Sequence, residues 1–233
     1  MRIILLLVLV VVPWLAHAQG IEISGEVNIS TFSMSSMKKF QQQNARYNAI
    51  LLTTTSSFPA FIGYKIYAQR KVSPKISAGI FSGFNTTGGR QTYQDFTGVA
   101  YNDIKCMALS GGLIGEYHLK DYKGFEVNAA LLLGIIFNRV DLIGVADLTQ
   151  PVYYIRNEST FRSLNYLVNP GVTLRRAIGK FAIRTQISYE YDFVNDLVHD
   201  GDKNKIQMPD GTKLNASWDG LRVGVGVAYR ISH

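Results

Sequence analysis

Cysteine is nearly missing from this chain: Cys106 is the single one in 233 residues. No internal disulfide can form, so an exported chain of this size must close by packing or by burial against lipid. Cys106 itself reads as a small buried residue. No cysteine follows the N-terminal apolar stretch, which excludes anchoring through a lipidated N-terminal cysteine. Long hydrophobic runs are also missing. After residue 20 the longest spans residues 129–137, too short to cross a bilayer as a helix. Charge is only mildly one-sided, at +7 for the whole chain. The basic residues are scattered, which argues against nucleic acid as a partner. A basic surface beside anionic lipid is the simpler explanation.

What is present begins with a leader. Arg2 is followed by an almost unbroken apolar run over residues 3–15, then Ala16-His17-Ala18. This is the layout of a cleavable secretory signal. Cleavage is expected after Ala18, dividing the chain into a leader, 1–18, and one domain, 19–233.

The domain alternates. Leu221, Val223, Val225, Val227, Tyr229 and Ile231 oppose Arg222, Gly224, Gly226, Ala228 and Arg230. Strand side chains have a period of two, so one face is apolar and the other small or charged. The segments around residues 21–29, 107–119, 125–137 and 181–193 repeat this, with Leu132 and Ile136 as apolar intruders on the polar side of the third. Residues 60–72, 76–84 and 164–174 alternate more weakly, and the last carries Pro170. Proline removes a ladder donor, so a bulge or other irregularity is expected there.

Between these eight segments the connections alternate short and long. Residues 71–74, 120–124 and 177–180 are tight; 33–57, 86–103, 138–160 and 195–217 are long and polar. Short periplasmic turns and long outer loops are the habit of transmembrane barrels. Tyr117, Tyr122, Phe125, Phe181 and Tyr229 gather at the short-turn ends; Phe84, Phe137, Phe161, Tyr191 and Phe193 gather at the long-loop ends. Two such bands match interfacial girdles. The expected fold is therefore all-β, an eight-stranded antiparallel up-and-down transmembrane β-barrel. A soluble barrel would need the bulky face inside, where it would overfill a narrow lumen; the other reading of the aromatics is the ordinary core of a β-sandwich. Turned outward, that face leaves small and charged residues within. The expected interior is an ion-pair network of Glu22, Glu26, Glu116, Glu126, Glu190 and Asp192 with Lys65, Arg175, Arg184, Arg222 and Arg230, since buried charges persist only when paired. Such a network would plug the lumen.

On signal, strand pattern and connection alternation, residues 21–231 resemble the small outer-membrane β-barrel families of Gram-negative bacteria. The segment Thr86-Thr87-Gly88-Gly89-Arg90, with Tyr93 and Asp95-Phe96-Thr97-Gly98, is similar to a TGGR…DFTG signature of an uncharacterised branch. The resemblance implies architecture, cell-outer-membrane localisation and insertion by a barrel-assembly machinery. The chain departs from the common pattern at its end, where four residues follow Tyr229 instead of a terminal aromatic.

Three segments are candidates for chemistry. In the signature loop, Gly88 and Gly89 permit positive φ, Arg90 and Asp95 are expected to pair, and Tyr93 or Phe96 to cover them. Met34, Met37, Phe40, Asn44 and Tyr47 recur at helical spacing, with Ser33 or Ser36 as a cap; this reads as a partner-binding helix or as a lid on the barrel. Asp196, His199, Asp200 and Asp202 crowd the last long loop. These residue types suit a hydrolase or a cation site, but no nucleophile is indicated. His118 reads as a hydrogen-bonding lumen residue. No cofactor is expected. The expected role is non-enzymatic, through outer loops that meet an extracellular ligand or partner, or in envelope integrity. The alternatives are an outer-membrane enzyme acting on lipid or surface polymer, and a small-solute channel.

Overall fold

The computed structural model describes residues 20–47, 52–149, 152–202, 204–206, 208 and 211–231. The leader and its cleavage after Ala18 lie outside them. The elements are β1 (Ile21–Ser30), α1 (Ser35–Tyr47), β2 (Thr53–Ser57), β3 (Phe61–Ser73), β4 (Ile76–Asp95), β5 (Gly98–Tyr122), β6 (Phe125–Thr149), β7 (Val152–Ile178), β8 (Phe181–Phe193), β9 (Val198–His199) and β10 (Gly220–Ile231).

Eight strands close a ring in the order β1-β3-β4-β5-β6-β7-β8-β10, and β10 returns to β1; every pairing is antiparallel. Short β2 and β9 add to the outer ends of β4 and β7. The three short connections are two-residue turns. In one of them Lys123 and Gly124 both take positive φ, 49° and 81°, the geometry of a mirror-image turn that matches strand twist.

The alternation read from the sequence sorts as an inside-out barrel. Val223, Val225, Ile183 and Leu131 are 42–57% exposed on the outer wall, whereas Arg184, Glu190 and Arg222 are 2–3% exposed within. From Leu109 to Leu119 the outward face of β5 spans ten residue steps, roughly 25 Å of height at ~3.3 Å per residue and usual tilt, the thickness of a barrel's apolar band. Leu132 and Ile136 do point inward, both buried.

Two expectations are corrected and a third is met in part. Around Pro170 the expected irregularity is a gap in one ladder, without a bulge. Pro170 pairs with Leu131 in unbroken register, and towards β8 the ladder skips only Asn169 and Pro170 before resuming in the same register. Residues 86–103 and 138–160 are not loops. β4 and β5 stay paired to Asp95↔Gly98, β5 and β6 to Gly98↔Leu148, and β6 and β7 to Thr149↔Val152. Four strands thus continue past the apolar band as one wall. Phe161 is no girdle residue. It is buried, with its ring 5.0 Å from that of His199.

Above the band the hydropathy inverts. Phe32, Met34, Met37, Ile104, Val140, Leu197, Leu214 and Trp218 form an apolar cluster inside the wall, while Arg90, Lys105 and Arg162 face out. The outer end is a conventional water-facing fold standing on a lipid-facing barrel.

Candidate functional site

The lumen is filled by side chains that three inner-face glycines make room for, while a fourth lets two strands approach closely. A Cβ at Gly224 would collide with the Glu26 carboxylate, at Gly226 with the backbone of Gly25, at Gly83 with Ser110 and at Gly63 with Asn85 and Asn28.

The charges form two tiers. Near the short turns, Arg175 donates to Glu22 and, at 3.1 Å, to Glu126; Arg230 stands 3.9 Å from Glu22. Midway up, Arg184 reaches Glu116 at 2.7 Å and Glu26 at 3.8 Å, and donates to Gln69 and Gln186 at 3.0 Å each. Arg222 meets Glu190 at 2.9 Å, and Lys65 approaches the same carboxylate at 3.9 Å. Arg175 and Arg184 are direct cross-strand partners. Like charges so placed repel, and the four carboxylates around them offset the repulsion. Asp192 stands apart: it accepts from Asn165 and from the Trp218 amide, both at 2.9 Å, rather than from a base. His118 contacts Asn128 at 3.1 Å.

Two residues central to this packing were not singled out from sequence. Tyr67 is fully buried, its hydroxyl stands 3.2 Å from both Glu26 and Gln186 and donates to one of them, and its ring lies under the Arg184 guanidinium at 4.4 Å. Its place on the polar face of β3 was the available signal. Trp218 closes the outer end of the lumen: its indole donates to Asn138 at 2.7 Å, and Phe32 packs edge-on at 5.0 Å. It lies in a segment with no strand pattern, so nothing local marked it.

Over Trp218 sits α1. Met37 within it and Met34 just before it are wholly buried, which makes the helix a lid. Neither serine caps it: Ser33 bonds the Ser217 hydroxyl at 2.8 Å, and Ser36 accepts from the Asn215 amide at 3.3 Å. Gly88 and Gly89 do not turn the chain. Both lie within β4, and neither has positive φ. Gly89 lets Gln41 of the lid approach, and Gly88 abuts the Ile104 carbonyl.

Arg90 does not pair with Asp95. It makes two hydrogen bonds to Asp103 across β4–β5, both at 2.5 Å, and this holds the guanidinium above its ordinary pKa. Asp95 instead accepts from the Thr97 hydroxyl (2.6 Å), the Thr97 amide (2.8 Å) and the Tyr93 hydroxyl (2.5 Å). Those bonds hold its carboxyl below the usual range. Phe96, between them, is 93% exposed at the tip of the wall. The end of β6 ties in, as the Thr149 amide donates to the Thr97 carbonyl at 2.7 Å. Inside the wall a cleft of about 370 Å³ is lined by Phe40, Asn44, Gln91, Asn102, Asn157 and Ile206.

The acidic crowd in the last loop is dispersed onto separate partners. Asp196 binds Lys205 (2.8 Å) and Lys213 (3.4 Å), Asp200 binds Arg162 (2.8 Å), and Asp202 binds His199 (2.8 Å). Among the described residues no three His, Cys, Asp or Glu side chains gather to hold a metal ion.

No known family profile matches the chain, and no curated protein matches its sequence. Solved structures do match. A major outer membrane protein from Thermus thermophilus aligns at TM-score 0.50 and 12% identity over 91% of this chain and 99% of that one. Ail, the attachment invasion locus protein of Yersinia pestis, aligns at 0.41 and 14% over 92% and 99%. Neisserial surface protein A aligns at 0.36 and 12% over 91% and 97%. The first supports what the ring and its inverted hydropathy establish: the chain has the eight-stranded antiparallel β-barrel fold of bacterial outer-membrane proteins.

Proposed function

We propose that this protein is a non-enzymatic, non-conducting barrel of the cell outer membrane that presents a rigid recognition surface outside the cell. The short turns, with the start of β1 and the end of β10, face the periplasm; the wall, the lid and the tip face outward. The observation that carries this reading is the four-stranded wall ending in an ordered turn that holds Phe96 in solvent. An aromatic anchor fixed before binding loses little conformational entropy when it inserts into a partner. The partner is an extracellular protein or surface with an apolar pocket. Filled tiers of Arg184, Arg222 and Trp218 support the absence of a conducting path. The separate engagement of Asp196, Asp200 and Asp202 supports a non-catalytic outer rim.

Two measurements test it. Phe96→Cys introduces an accessible thiol beside the buried Cys106, so intact cells should label with an impermeant maleimide only in the variant; an unlabelled variant in a folded barrel overturns the orientation. Cells with equal amounts of folded wild type or Phe96→Ser are then compared for adherence to protein-coated surfaces. A several-fold loss is expected, and equal adherence on every surface that retains the wild type overturns recognition through the tip.

A further inference from the structure

The outward faces of β5, β6 and β7 form a lattice of rows across the edge of the apolar band. The lowest row is Leu109, Phe137 and Leu164; one step out come Met107, Arg139 and Arg162; the next is Lys105, Asp141 and Thr160. Arg139 and Arg162 are direct cross-strand partners, like charges set opposite each other on one face of the sheet. In the lumen the same arrangement, Arg175 opposite Arg184, is surrounded by four carboxylates. Here each arginine has one: Arg139 meets Asp141 at 3.0 Å, and Arg162 meets Asp200 at 2.8 Å. Both side chains stay at least half exposed, and a guanidinium has five donors to direct. Asp141 is shared further, accepting from Thr160 at 2.7 Å.

Beside the pair, a groove of about 600 Å³ runs up the wall. Phe137, Leu164 and Val194 line its foot, continuous with the lipid-facing surface; Arg162 and Lys205 line its head. Lys205 and Lys213 share the single Asp196. Counting Lys105, five cations face three carboxylates among the described residues. The site is thus apolar at hydrocarbon level and cationic one residue row above it, which is where the headgroup phosphates of the outer leaflet lie.

We infer that Arg139 and Arg162 form a clamp for the phosphate of an outer-leaflet lipid whose acyl chain lies along Phe137, Leu164 and Val194. The inference rests on the outer-membrane reading above. A phosphate between the two guanidinium groups converts their repulsion into two charge-assisted contacts. Arg156, farther out on β7 and paired with Glu158 at 3.3 Å, is the control.

The full mature protein, refolded in zwitterionic detergent, is titrated with diphosphoryl lipid A and with its dephosphorylated form, and bound lipid is counted by native mass spectrometry. Wild type should prefer the phosphorylated lipid by at least about ten-fold, since two charge-assisted hydrogen bonds are at stake. Arg139→Gln with Arg162→Gln should abolish that preference; Arg139→Lys with Arg162→Lys should keep part of it, having charge without the planar fork; Arg156→Gln should change nothing. Equal binding of the two lipids, or an unaltered preference in the double Gln variant, overturns the clamp. Displacement of the lipid by millimolar inorganic phosphate overturns the lipid as its ligand and leaves a free-anion site. Gel mobility before and after boiling is read on every sample. A wild type that does not shift fails the outer-membrane reading; one that shifts but has no phosphate preference fails the clamp alone.

Discussion

Tyr67 carries more of the lumen than its single hydroxyl implies. It packs against Arg184, and its one hydroxyl proton serves one of two buried acceptors, Glu26 and Gln186, each 3.2 Å away, so its removal takes a donor from a site that water cannot easily reach. Tyr67→Phe keeps the ring under the guanidinium and should cost about 1–3 kcal/mol, the penalty of leaving a buried acceptor unpaired, read as a lower urea midpoint for loss of the folded gel band. Glu190→Gln removes the charge shared by Arg222 and Lys65 and should cost more, about 3–5 kcal/mol, because two cations stay buried without their counter-ion. Asp95 gives a pH signature. Its carboxyl is held below its ordinary value of 3.8 by Thr97 and Tyr93. The stabilisation of the turn is therefore complete above about pH 4, the unfolded value, and is lost as pH falls through the lower folded value. The protection of the Thr97 amide, its exchange rate set against the intrinsic rate at the same pH, should hold through neutral and mildly acidic pH and fall only below that range; protection lost near pH 6 would contradict it.

Glycines at the element scale separate soft from hard contacts. At Gly224 and Gly89 a new Cβ meets the ends of flexible side chains, Glu26 and Gln41; at Gly226 and Gly88 it meets backbone carbonyls. Gly226→Ala should therefore destabilise the barrel more than Gly224→Ala. Gly89→Ala should displace Gln41 and loosen α1 while the barrel ladder persists, seen as faster exchange in α1 alone. Equal effects of Gly226→Ala and Gly224→Ala, or unaltered exchange in α1 of Gly89→Ala, would contradict the packing. This scale also explains what the sequence pattern misread. Residues 86–103 and 138–160 keep the strand period, but the apolar set changes face at the edge of the band. In β5 it passes from Leu113 and Leu109, outward, to Cys106 and Ile104, inward; in β6 from Leu133 and Phe137 to Val140 and Leu142. A pattern followed in fixed phase breaks there and resembles a polar loop. Pro170 was legible in part: pairing to β8 is interrupted at it, as a missing N–H implies, but the register does not shift.

Across the whole molecule, two solvents hold two halves. The barrel is closed by an uninterrupted ring of ladders with lipid outside; the outer end is held by apolar packing of α1 and the last loop around Trp218. The outer end should open first. In a protein produced from residue 19, Trp218 is the one tryptophan. Its emission should begin blue-shifted and move red at a urea concentration where the folded gel band still persists; coincident transitions would make the halves a single cooperative unit. Planar-bilayer recordings of the folded protein should show no steady conductance, with Glu190→Ala the first variant to leak.

Alternation, turn spacing and the export-like leader determined the lipid-facing barrel from sequence alone, because a period of two assigns every side chain to a wall or a lumen whatever its neighbours are. Which acid meets which base was decided only by the tertiary structure, since stagger between strands fixes who stands opposite whom: Arg90 found Asp103 rather than Asp95, and Asp192 found amides rather than a base. Tyr67, Trp218 and the opposed pair Arg139 and Arg162 acquire their meaning in the same way, from partners far off along the chain that local pattern does not encode.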